Sequence, residues 1–340
     1  MSTTEQTIVK AAGPGDFLAI VPALLGFTPR NSAVLVPFNG SRTIGAMRVD
    51  LPPAASTDEV AATLIGYICR VQSVTGVAVV LYTDADAASV RPLGDLIVKR
   101  ADQCGLEVID GLYVATEGWG RLRSEDAPRS LDEIRVPDSL AGSVAADQAE
   151  ASAAAPLSPE RAAMIAESGA AFDPDAADYC AAFERLCAVP DPTEVTAEDA
   201  ALLMFVLERP MLRDVALVQW ASDRESGEAA LPAQLGYAIG VDVPEMRDAV
   251  RVLAGEAARP TPARLTNALA IVRHVSDPAL TQPRAGSLAV SAWLAWGLGR
   301  SSLASKFARE AVELDAEHGL ANIVATLCEL GHLPSWVYLR

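Results

Sequence analysis

One stretch near the start of the chain limits what the rest can fold into: Asp16-Phe-Leu-Ala-Ile-Val-Pro-Ala-Leu-Leu-Gly-Phe-Thr-Pro-Arg-Asn-Ser-Ala-Val-Leu-Val-Pro37. Asp16 is suited to cap a short helix whose apolar positions, Phe17, Ile20, Val21, Leu24 and Leu25, recur at helical spacing. Counted from that cap, Pro22 lies about one turn in, close to where the first-turn N–H groups have no intrahelical partner. Gly26 fits the left-handed residue past a helix end. Pro29 with Asn31 or Ser32 makes a turn. Ala33 to Val36 is a branched apolar run bounded by Pro37, and so a buried strand. A helix and a strand this close together, both apolar, demand a sheet with a helix packed on it.

The following residues extend that sheet. Asn39-Gly40 separates two strand patterns and predicts a hairpin into a second strand over 43–51. Ser56-Thr57-Asp58-Glu59 opens a helix carried by Val60, Leu64, Ile65, Ile68, Val71 and Val74 and stopped by Gly76. Residues 77–82 read as a strand buried on both faces, 89–104 as a helix ended by Gly105, 106–115 as a strand bent at Gly111, and 119–122 as an edge strand. The order β-β-α-β-α-β gives an α/β N-terminal domain on a mixed sheet over residues 1–123, with residues 1–13 loosely held. Residues 124–156 hold Pro128, Pro137 and Pro156 among Asp, Glu, Ser and Ala and read as a linker. From 157 to 340 the apolar period is helical throughout, giving an all-α, helical-repeat-like domain. Thr196 with Asp199 marks one helix start there and Pro210 another.

The segment Pro22-Ala-Leu-Leu-Gly-Phe-Thr-Pro-Arg-Asn-Ser-Ala-Val34, with Arg48-Val-Asp-Leu-Pro52, resembles domain-of-unknown-function family 4192 of actinobacteria. That family carries P-x-L-L-G-F-x-P-x-x-S-x-V and R-x-D-L-P at these points. Leu212-Arg-Asp-Val215 and the last helices also resemble it. The chain departs from the family at Glu117-Gly-Trp-Gly-Arg-Leu-Arg123, where relatives carry an R-W-W-S-like strand and a C-C-P segment. The resemblance implies an architecture and a source group, and it implies no activity. Separately, Ala292-Trp-Leu-Ala-Trp-Gly-Leu-Gly299 followed by Ala304-Ser-Lys-Phe-Ala-Arg-Glu-Ala-Val-Glu-Leu-Asp315 resembles one tetratricopeptide-type hairpin.

Composition narrows the function. A net charge of −17 argues against a broad nucleic-acid surface and against anionic membrane, since both need a cationic footprint. No apolar run reaches the length of a membrane span, and the first fifteen residues lack the apolar core of a signal peptide. Cys69, Cys104, Cys180, Cys187 and Cys328 form no C-x-x-C pair and predict buried, reduced thiols in a cytoplasmic protein. His274, His318 and His332 sit near helix ends, where a cation complements the helix dipole. Trp293 and Trp296, three apart on one helix, belong to a core. Arg300, Lys306 and Arg309 form a solvated basic face. No nucleotide-loop, nucleophile-elbow or zinc-helix motif is present.

The chemical candidates are strand-end carboxylates. Asp50 and Asp84 each end a strand, with Asp86 two residues on, where α/β sheets gather their sites. Asp50 and Asp84 are the metal-ligand candidates, and Mg²⁺ is the ion such oxygen ligands would take. The same residues also read as a helix cap and a hairpin closure. Arg30 and Arg48 flank this region and are candidates for binding an anionic group. The expectation is a cytoplasmic protein-interaction or regulatory module with no cofactor, meeting a protein partner or a second copy of itself. The alternatives are a metal-dependent hydrolase or nuclease on a ribonuclease-H-like sheet, and a self-assembling structural protein.

Overall fold

In a computed structural model, residues 11–53, 57–140, 144–153, 156–238, 240, 244–278, 280 and 284–339 are described. The chain divides into two units, Met1–Ala153 and Ala154–Arg340.

The first unit assembles on β1 (Ser32–Asn39). Its antiparallel neighbours on one side are β2 (Arg42–Thr43) and β3 (Met47–Asp50), and on the other β4 (Gly76–Tyr82). β5 (Glu107–Ala115) joins β4 in parallel, and β6 (Gly118–Arg121) closes antiparallel on β5. Successive side chains face opposite layers. Leu35, Val77, Val79 and Leu81 pack with α2 (Thr57–Arg70) and α3 (Arg91–Gln103). Val34, Val36, Ala78 and Val80 pack with Leu18 and Val21 of α1 (Pro14–Leu25). Cover on both faces explains why β1 and β4 carry unbroken apolar runs.

Several local readings change. Gly13, not Asp16, caps α1, with Pro14 in the first turn. Asp16 instead accepts the Ala12 N–H at 3.0 Å. Pro22 therefore lies inside α1, and the helix runs on to Gly26, which closes it at φ 83°. β1 does not stop at Pro37. Its carbonyl accepts the Ile44 N–H, so the missing Pro N–H faces the gap between β2 and β3, where no ladder bond is lost. Gly76 does not stop α2, which ends at Arg70; it begins β4, and a Cβ there would meet the Glu107 carbonyl at 2.7 Å. The irregularity in β5 falls at Ile109, ahead of Gly111. Within residues 124–156, read as linker, two points bond to the first unit: Trp119 and Arg129 exchange backbone hydrogen bonds, Ala145 donates to Gly26, and Thr28 donates to Ala145. The readings on residues 1–10, Ser56, Ile239 and Val243 lie outside the described residues.

The second unit is helical in its described residues: α5 (Pro159–Ala171), α6 (Tyr179–Ala188), α7 (Ala197–Leu207), α8 (Pro210–Ala221), α9 (Arg224–Ala238), α10 (Pro244–Leu253), α11 (Pro262–His274), α12 (Ala285–Gly297), α13 (Ser301–Leu314) and α14 (Gly319–Glu329). These follow α4 (Gln148–Ser152), a single turn in the first unit. Starts are capped as the residue types require: Ser158, Asp178 and Thr196 each accept an N–H in the first turn of α5, α6 and α7. Every residue of α12 is buried, and α7, α8, α11, α13 and α14 surround it. The hairpin of α12 and α13 thus holds the buried axis of the unit. A Cβ on Gly286 would strike the Leu207 carbonyl and the Glu208 carboxylate, and Glu208 accepts the Gly286 N–H at 3.2 Å. Gly286→Ala is expected to lower stability by about 1–3 kcal/mol in urea unfolding through overpacking.

Two histidines differ from the dipole reading. His318 sits at the start of α14, where Nδ1 accepts the Ala321 N–H at 3.3 Å, a role for the neutral ring. His274 is buried, and burial with the nearby Arg161 pushes its pKa below 6.5, against the pull of Asp277 and Asp191. The unfolded chain then binds this proton first, so stability is full above pH 6.5 and falls as pH drops below it. His274→Gln is expected to flatten the fall in thermal midpoint between about pH 7 and pH 5.5 relative to the parent chain.

Candidate functional site

Strand register brings the candidates together. Ser32 pairs with both Tyr82 and Asp50, so the start of β1 and the ends of β3 and β4 share one edge of the sheet. The end of β5 lies there too, since Tyr82 pairs with Val114. Asn31 has a φ of 44°, a left-handed conformation that Asn tolerates better than most residues. That turn aims its amide at the loop after β4.

Asp84 is held from two directions. The Asn31 side-chain Nδ2 donates to its carboxylate at 2.8 Å while the Asn31 side-chain Oδ1 accepts the Asp84 N–H at 2.9 Å. Arg30 reaches the same carboxylate oxygen at 3.2 Å. Arg48 anchors the other side. Its Nε donates to Ser32 Oγ at 2.8 Å, and Ser32 Oγ donates to the Arg30 carbonyl at 2.6 Å. Its Nη2 pairs with Asp50 at 2.6 Å. Arg48 is only 10% exposed, while Arg30 is 67% and Asp50 77% exposed. Asp86 lies in the same loop but turns to local work: it caps the short turn Ala87–Ser89 by accepting the Ser89 N–H at 3.1 Å. Asp50, Asp84 and Asp86 therefore share an edge, each with its own partner. Among the described residues, no group of three His, Cys, Asp or Glu is placed to hold a metal ion.

A fourth carboxylate belongs to this edge. Glu117, in the turn between β5 and β6, accepts the Ala87 N–H at 2.8 Å, and that backbone bond leads the causes holding its pKa below the usual range. Its position in the β5–β6 turn was readable; its partner, thirty residues upstream, was not. Arg30 and Arg48 differ in kind: Arg48 is a strut under the network, and Arg30 is its exposed face.

The family model of a domain of unknown function, DUF4192, matches residues 14–335. The chain belongs to the DUF4192 family. No curated protein and no solved structure matches it. The DUF4192 match spans the strand-end network and α5 to α14 of the second unit.

The other singled-out groups fall elsewhere. On α13, Lys306 lies 3.9 Å from Glu310 and Arg309 donates to the Ser305 carbonyl at 3.3 Å. Arg300 stands just before α13. Trp293 and Trp296 are buried. Cys180 and Cys187 are buried and Cys328 half-buried, but Cys69 and Cys104 are exposed, against the expectation of buried thiols. Both lie at helix ends, where the apolar period no longer reports which way a side chain faces.

A half-buried strut and an exposed pair predict different costs. Arg48→Met is expected to lower stability by about 1–3 kcal/mol, because Ser32 and the Arg30 carbonyl lose a charged donor. Arg30→Ala is expected to cost roughly 0–1 kcal/mol, as for exposed ion pairs. Parallel urea titrations of both variants check the contrast.

Proposed function

We propose that this DUF4192 protein is a cytoplasmic protein-interaction or regulatory module that meets a protein partner or a second copy through its helical unit. The observation that carries this is the outer face of α14. Ile323 on α14 and Leu330 just past its end lie seven positions apart on one flank, 58% and 62% exposed, while Leu327 between them packs against the core. The adjoining stripe, Leu320, Ala321 and Val324, is buried in the core. Leu314, at the end of α13, is also exposed. An apolar stripe wider than the core covers suits contact with a second chain, and burying what remains exposed of Ile323 and Leu330 would contribute about 1–2 kcal/mol each.

A second reading, a metal-dependent hydrolase or nuclease using Asp50, Asp84 and Asp86 with Mg²⁺, draws on one observation. These carboxylates stand at the carboxyl end of the parallel pair β4–β5. Against it, each is engaged by a partner of its own, and Asp86 acts as a cap.

The double variant Ile323→Glu, Leu330→Glu separates the outcomes. Its helicity and thermal midpoint are expected to match the parent, because both side chains already face solvent. Affinity capture from the source cells is expected to lose a stoichiometric protein partner, or light scattering to show a parent oligomer reduced to a monomer. A variant that behaves as the parent in both measurements contradicts the proposal.

A further inference from the structure

Two thiols of the first unit meet at the end of the sheet opposite the strand-end network. Cys69 lies in the last turn of α2, and Cys104 follows the last residue of α3. α2 and α3 pack side by side, and each is followed by a strand of the parallel pair. The register Gly76↔Glu107 and the Glu107 N–H bond to the Thr75 carbonyl at 3.0 Å set the starts of those strands next to each other. The helix ends that precede them are thereby neighbours. The Cys69 thiol is within side-chain hydrogen-bonding reach of Cys104. Both cysteines are free and exposed. Of the chain's five cysteines, these two alone combine exposure with a neighbouring thiol among the described residues.

We propose that Cys69 and Cys104 form a reversible dithiol site, oxidised by a hydroperoxide to an intramolecular disulfide that staples α2 to α3. One thiolate attacks the peroxide O–O bond and takes one oxygen as a sulfenic acid, and the other oxygen leaves as water or alcohol. The second thiol then attacks the sulfenic sulfur, forming the S–S bond and releasing water. Two thiols and one hydroperoxide give one disulfide, one alcohol or water, and one further water. The cysteines supply two electrons and the peroxide takes them. A dithiol reductant reverses the step by exchange. Burial and the adjoining Cys104 push the Cys69 thiol up, so closure quickens as pH rises.

The staple would close the chain from residue 69 to residue 104, a loop containing β4 and α3, and a crosslink of that span restricts the unfolded chain. Both segments after the helices are already turns, with Ser73 at φ 63° and Gly105 at φ 73°. The backbone there lies outside the sheet ladder and can adjust to the bond.

The test treats the full chain with equimolar hydrogen peroxide, alkylates the remaining thiols and maps the digest by mass spectrometry. A Cys69–Cys104 crosslinked peptide is expected, with two fewer alkylated sites, full recovery by dithiothreitol and a higher thermal midpoint in the oxidised chain. Cys69→Ser and Cys104→Ser are each expected to abolish the crosslink and leave the other cysteine as a sulfenic acid that a dione reagent traps. Serine at these exposed positions keeps the fold, which the thermal midpoint of each reduced variant verifies. Oxidation spread independently over the cysteines, or a crosslink absent at full peroxide consumption, overturns the proposal.

Discussion

An indole N–H buried in a core costs free energy unless it meets an acceptor there, and three tryptophans of the helical unit meet that condition together. Trp293 donates to the Leu253 carbonyl at 2.9 Å, Trp296 to His332 at 2.7 Å, and Trp336 to Gly297 at 2.9 Å. Ring centroids lie 6.1 Å apart for Trp293–Trp296 and 6.4 Å for Trp296–Trp336, at tilted or edge-on angles that favour the ring quadrupoles. Each acceptor is a carbonyl at a helix end or beyond one, where the backbone ladder leaves oxygens unpaired. The end of α10, the end of α12 and the segment after α14 are thus held to one point. α14 reaches its place with one face in the core because its following segment is fixed there.

The first unit rests on a parallel condition. β1 and β4 are apolar on both faces and need a layer on each, supplied by α1 on one side and α2 with α3 on the other. That requirement fixes strand register, and register alone places Arg30, Asn31, Arg48, Asp50 and Asp84 along one edge. The network is therefore a consequence of the core, with Arg48 as the half-buried strut and Arg30 as the exposed charge. Each carboxylate is held by a donor of its own, an arrangement suited to a fixed polar surface more than to ligands waiting for an ion.

Legibility in the sequence tracked the range of the interaction. The helix-turn-strand opening, the Asn39-Gly40 turn and the helices after residue 157 rest on local period and turn chemistry, and they stand, while the strand expected over 43–51 divides into β2 and β3. Pro22 and Gly76 were misplaced because each residue type fits two positions. Only the helix start at Pro14 and the approach of Glu107 to Gly76 decide between them. Residues 124–156 have the composition of a linker, and the bonds that tie Arg129 to Trp119 and Ala145 to Gly26 are backbone bonds that no side-chain pattern announces. At the site, strand ends gave Asp50, Asp84 and Asp86 from sequence. The clamp by Asn31 and the arrival of Glu117 depended on register. The meeting of Cys69 with Cys104 was invisible for the same reason.

The central claim is that the strand-end edge is a fixed polar surface, with Asp50, Asp84 and Asp86 each held by a donor of its own. Calorimetric titration of the full chain with Mg²⁺ and Mn²⁺ tests it most directly, because the competing account requires those carboxylates to take a cation. The account predicts no saturable heat, with Asp84→Asn indistinguishable from the parent. Saturable binding that Asp84→Asn removes, in a variant that keeps its thermal midpoint, would contradict it and make the edge a metal site.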